Sequence, residues 1–151
     1  MSRKLALESR WWIITAFVTL GILFPIITEG QYLFLWPNVF LIVTFITLTR
    51  YIFLLQQTFL SRLEWLKALL ILAAPIFIFL LVQEVVRFQT YIDQYEWHDV
   101  IAGGAAEANP GLAKYIYTEM LFFGVAGSIS AATLPFRMVI SIWRIRNLGK
   151  E

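Results

Sequence analysis

The run Ala68–Gln83, ALLILAAPIFIFLLVQ, constrains the chain more than any other stretch. No charge falls between Lys67 and Glu84, and Gln83 at its edge is its one polar side chain. Its sixteen residues, if helical, cover about 24 Å, and snorkelling of Lys67 and Glu84 makes up the rest of a ~30 Å hydrocarbon slab. Pro75 does not forbid a helix here, because in lipid an open backbone is worse than a kinked one. The run is read as a membrane span.

The same test finds three more charge-free intervals. Trp11–Thr28 lies between Arg10 and Glu29, Gly30–Thr49 between Glu29 and Arg50, and Met120–Phe136 between Glu119 and Arg137, the last continuing through the apolar MVISIW to Trp143. Composition agrees: 60% of the 151 residues are hydrophobic and 15% charged, against about 45–50% and 25% in a soluble domain. Trp11, Trp12, Trp36, Trp65, Tyr115, Tyr117 and Trp143 sit at or beside span ends, where amphipathic rings anchor in the interface. The expected architecture is an all-α integral membrane protein with four transmembrane helices in an antiparallel bundle. It forms a single membrane domain over residues 1–151, with spans near 11–28, 32–55, 66–86 and 116–143 and an external segment at 87–114. No internal repeat is visible. Trp11–Thr28 is too long for the apolar core of a cleavable signal peptide and has no small-residue cleavage site before Glu29.

Lys and Arg set the threading. Arg3, Lys4 and Arg10 precede the first span, Arg62 and Lys67 lie between the second and third, and Arg144, Arg146 and Lys150 follow the fourth. The first connection has none, and the third balances Arg87 and Lys114 against Asp93, Glu96, Asp99 and Glu107. Both termini are therefore expected in the cytoplasm, in the cell inner (plasma) membrane, with an acidic segment outside.

Local signals refine the connections. Pro37 suits a first helical turn, so the regular second helix is expected to start there. Arg50, Gln57, Ser61 and Glu64 share a helical face, which predicts a helix running well past Arg50 and turning near Ser61–Glu64. Val85, Phe88, Ile92 and Tyr95 recur at helical spacing, which extends the third helix as an amphipathic segment to about Asp99–Ile101. Gly103–Gly111, GGAAEANPG, breaks it, with Asn-Pro-Gly as a turn.

Candidate functional residues are few. With no cysteine and one histidine, thiolate metal sites, iron–sulfur clusters, a cysteine nucleophile and bis-histidine haem are excluded. No phosphate loop, zinc-protease motif or nucleophile elbow is present. Arg50 and Arg137 fall about 20 Å beyond Pro37 and about 27 Å beyond Glu119 on helical rise, in the inner leaflet. Their nearest acidic residues, Glu8 and Glu64, belong at the surface. Each arginine is either an anion, lipid or partner contact or snorkels to the cytoplasmic headgroups. Glu29, Glu84 and Glu119 mark the outer ends of different spans; they are either a carboxylate ring for a cation or a proton relay, or else ordinary boundary charge with Glu84 paired to Arg87. Gly124, Ser128 and Ala132, flanked by Gly127 and Ala131, form a small-residue face that packs helices closely, within the chain or between chains. His98 with Asp93, Glu96 and Asp99 could attract a metal ion, but on a helix these groups spread over different faces.

No cofactor and no metal is expected. The leading expectation is a small non-catalytic membrane subunit or accessory protein. Its partners would be other membrane proteins or a second copy, with anionic lipid and no nucleic acid. The alternative is an oligomeric transporter or channel component with an anion route near Arg50 and Arg137. A lipid-acting enzyme comes last, since nothing pairs Glu84 or Glu119 with a nucleophile.

Overall fold

The computed structural model describes residues 2–148; Lys150, counted above for threading, lies outside them. The chain is helical: α1 (Ser2–Ile27), α2 (Leu35–Leu54), two 3₁₀ turns (Leu55–Gln57 and Phe59–Arg62), α3 (Glu64–Tyr95), the single turn α4 (Ala105–Ala108) and α5 (Pro110–Leu148). Among the described residues four helices are long and apolar enough to cross a membrane: Ala6–Ile27, Leu35–Gln57, Glu64–Tyr95 and Pro110–Asn147. Pro25, Pro75 and Pro135 all lie inside helices, as expected where an open backbone has no water to turn to.

α5 packs along α2 and α3, and α1 leans mainly on α2. Contacts collect at two ends. At the terminal end, Glu8 of α1 meets Arg50 of α2, and Arg146 of α5 meets Glu64 of α3. At the distal end, the 28–34 turn pairs with the α3–α4 connection. Leu33 N–H donates to Val100 O at 3.0 Å, and Ala102 N–H donates to Gln31 O at 2.9 Å. These bonds seat Val100 and Ile101 in full burial over the helix ends. Beneath them Phe34 packs edge-on against Phe88 and Tyr91, with ring centroids 5.3 and 5.2 Å apart, inside the favourable range for aromatic pairs.

Three expectations about helix ends are corrected. α2 does not run well past Arg50: it stops at Leu54, Thr58 is extended, and the 3₁₀ turns fold the chain back. The physical reason is burial, since the reversal puts Leu55 and Leu60 into a second core with Leu134 and Met138. α3 ends at Tyr95, short of Asp99–Ile101, where Glu96 takes a positive φ of 55°. Asn109-Pro110-Gly111 is a helix start rather than a free turn. Asn109 Oδ1 accepts from the Gly111 and Leu112 N–H groups at 3.1 and 3.2 Å, and Pro110 takes the first helical position, where its missing N–H costs nothing.

Candidate functional site

At the terminal end the buried polar groups include three charged ones, Glu8, Arg50 and Lys67, each hydrogen-bonded, although Glu8 Oε1 and Arg50 Nε are left without a partner. Arg50 lies in the last turns of α2, and Glu8 lies on the α1 stripe Glu8, Thr15, Thr19, Leu23, Ile26, which faces inward at helical spacing. The Arg50 guanidinium donates to Glu8 Oε2, and its carbon sits 4.8 Å from the Tyr51 ring centroid. Sequence reasoning placed Glu8 at the surface. Instead α1 begins early enough to carry it into the interior, where a carboxylate beside a guanidinium costs far less than either ion alone. Arg137 donates from Nε to Ile52 O at 3.1 Å. Ile52 is in the last turn of α2, where carbonyls lack helical donors and a cation complements the dipole.

Lys67 is a further correction. Expected to snorkel, it is fully buried in the first turn of α3. Its Nζ donates to Ser61 O at 2.5 Å and to Ser141 Oγ at 2.8 Å. The 3₁₀ reversal that ends at Arg62 presents the Ser61 carbonyl to the ammonium.

At the distal end the buried polar groups carry no cation. Asn38, one residue after Pro37, is fully buried and donates from Nδ2 to Glu119 Oε2 at 2.6 Å. Tyr32 lies beside both, next to the Asn38 side chain and within the field of the carboxylate. Glu119 Oε1, Asn38 Oδ1 and the Tyr32 hydroxyl are all buried and lack partners. One turn earlier on α5, Tyr115 donates to Ile22 O at 2.8 Å and ties α5 to α1.

Glu29, Glu84 and Glu119 stand in different surroundings. Glu29 is exposed, Glu84 is partly covered with Arg87 Nη1 at 3.9 Å, and only Glu119 is buried. The small-residue face divides. Gly124 packs against Val85 and Leu41, Gly127 against Leu81 and Phe45, and Ala131 is buried. Ser128 donates to Gly124 O within its own helix, and Ala132 is exposed. Among the described residues no three His, Cys, Asp or Glu side chains come together to hold a metal ion. His98 Nδ1 instead meets Glu107 Oε2 at 2.7 Å on the surface.

Between the helices, toward the terminal end, lies a cavity of about 260 Å³ lined almost wholly by apolar groups, with Trp12, Thr44, Leu70, Phe77 and Leu134 on its walls. Its lining offers little to orient a polar ligand. Asn38, Glu8, Tyr32, Lys67 and Ser141 were not read as interior functional residues. Asn38 carried a usable signal, since an amide inside a span needs a partner. Glu119 stands 81 positions away, which one sequence does not disclose. No family model, curated protein or solved structure matches this chain.

Proposed function

We propose that this chain is a small non-catalytic subunit or accessory protein of a membrane, built as an antiparallel four-helix bundle that assembles with partner membrane proteins or with itself. One observation carries the reading: the interior polar groups join one helix to another. Glu8–Arg50 links α1 to α2, Asn38–Glu119 and Arg137–Ile52 link α2 to α5, and Lys67–Ser141 links α3 to α5. Interhelical polar contacts of this kind hold spans together where lipid removes the hydrophobic drive. Outward, α1 and α3 present long apolar faces, including Phe17, Phe24, Leu72 and Phe79, each more than half exposed. These faces suit lipid or neighbouring spans.

In this reading both termini are cytoplasmic, the membrane is the inner (plasma) membrane, and 87–114 with the end of α3 forms the external part. The lysine and arginine distribution supports this threading. The anion-route alternative comes second, because it would have to release Arg50 from Glu8 and Arg137 from Ile52. The test is purification of the tagged full chain from native membranes in mild detergent, with native mass measurement. Co-purifying membrane proteins or a defined multimer is the expected result. A monomer of unchanged mass across several detergents overturns the proposal. Anion flux in vesicles that is lost in Arg50→Gln would favour the alternative.

A further inference from the structure

We infer that Glu119 is a proton-binding site, in which its carboxyl carries a proton on Oε1 and donates it to the side-chain oxygen of Asn38. The argument starts from what the pair leaves undone. Asn38 Nδ2 already donates to Glu119 Oε2 at 2.6 Å. The other oxygen of each group, Glu119 Oε1 and Asn38 Oδ1, is buried without a partner. With Glu119 ionised both are pure acceptors, and neither can satisfy the other. One added proton changes this. A carboxylic acid facing a carboxamide has one donor and one acceptor on each side, so the two planar groups can close a ring of two antiparallel hydrogen bonds. The proton comes from the medium and returns to it, and only its bond to Oε1 forms or breaks.

The surroundings supply no other neutralising charge. Among the described residues no Lys, Arg or His makes an ion pair with Glu119. Tyr32 faces it from the 28–34 turn and Tyr115 from its own helix; both are neutral as phenols. On α3, Glu84 and Arg87 lie beside each other. α1 offers the Ile22 carbonyl, already taken by Tyr115, and its last carboxylate, Glu29, is exposed. In the α3–α4 connection His98 and Asp99 are exposed, as is Glu107 on α4. An unpaired carboxylate buried at 7% exposure therefore has the proton as its available counter-charge, since an isolated buried ion is neutralised rather than tolerated.

The test is infrared spectroscopy of the full chain in lipid bilayers, from mildly acidic to mildly alkaline pH. The expected result is the carbonyl stretch of a protonated carboxylic acid at neutral pH. It should be absent in Glu119→Gln and shifted in Asn38→Leu. Glu119→Gln keeps both hydrogen bonds to Asn38 without a proton, so its melting temperature should match the wild type. Carbon-13 in the glutamate carboxyls of the wild type must move the band, which assigns it to a glutamate, and its loss in Glu119→Gln identifies which one. Absence of the band throughout the pH range overturns the inference. So does a melting temperature that rises with sodium chloride but not with choline chloride and loses that response in Glu119→Gln, which would make the site one for a metal cation.

Discussion

Among the described residues two glutamates are buried, one at each end, and they are handled in different ways. Glu8 meets a guanidinium from the neighbouring helix. Glu119 meets an amide, which orients it and donates one hydrogen bond but brings no positive charge. Both stand among apolar side chains, so the desolvation each would suffer as an anion is similar in kind. The lesson is that burial alone does not define the role of a carboxyl. Its partner decides whether it is one half of a fixed ion pair or a group whose charge depends on a proton.

The comparison breaks most readily at the ion pair. Glu8→Leu or Arg50→Leu leaves the surviving charge buried and alone, and each should destabilise the fold by about 3–5 kcal/mol. The double variant Glu8→Leu/Arg50→Leu should recover most of that loss. Unfolding in mixed micelles measures all three. Single variants that cost no more than the double would show the pair to be solvated rather than interior.

At the other end the corresponding loss should be smaller, because no full charge is stranded. Asn38→Leu removes both hydrogen bonds between Asn38 and Glu119 and should cost about 1–3 kcal/mol. In the same assay Glu119→Gln should change stability little. If Glu119→Gln proved as damaging as Arg50→Leu, the two ends would be alike and Glu119 would need its negative charge.

Between the two ends, the stretch of the α3–α5 seam around Gly124 and Gly127 packs against apolar side chains and serves as a control. A Cβ at Gly124 would lie 2.1 Å from Val85 Cγ2, whereas one at Gly127 would meet Leu81 at an ordinary 3.7 Å. Val85 is β-branched and cannot swing clear cheaply. Gly124→Ala should therefore cost about 1–3 kcal/mol by overpacking, with Gly127→Ala well below it. Equal effects at both positions would place the close approach elsewhere along the seam.

How much of this was open to sequence reading follows from distance along the chain. The four helices long and apolar enough to cross a membrane were legible because charge-free runs are local and a bilayer requires about 20 apolar residues per helix. The start of α5 was also legible in principle, since Asn109-Pro110 has the residue types of a cap and a first turn. The 3₁₀ reversal at Leu55–Arg62 was not. The helical spacing of Arg50, Gln57, Ser61 and Glu64 argued for continuation, and the burial of Leu55 and Leu60 against α5 overrode it. The two polar pairs were hidden more deeply, because Glu8 and Arg50 are 42 positions apart and Asn38 and Glu119 are 81 apart. Periodicity shows which face of a helix is polar and says nothing about which helix it meets. Lys67 was misplaced for the same reason, since its Ser141 partner arrives from α5.

The smallest effect belongs to a third carboxylate, Glu107, which has a titratable partner but no burial. Its hydrogen bond and its charge, with Asp99 adding to them, raise the pKa of His98 above the ordinary 6.5. A histidine stabilised in its charged form contributes fully below its unfolded value. Here that contribution is complete under about pH 6.5 and is lost as pH rises through the raised folded value. Because His98 is exposed, the effect is confined to the α3–α4 connection and screened by salt. Proton NMR of the imidazole in detergent should give a midpoint above 6.5 that falls toward it in Glu107→Gln and in concentrated salt. A midpoint unmoved by Glu107→Gln would mean the surface pair does not form in solution. Buried Glu119 should behave in the opposite way, its infrared band changing little with salt because no bulk ions reach it. The same ionic-strength series, read on both residues, therefore separates a solvated carboxylate from an interior one.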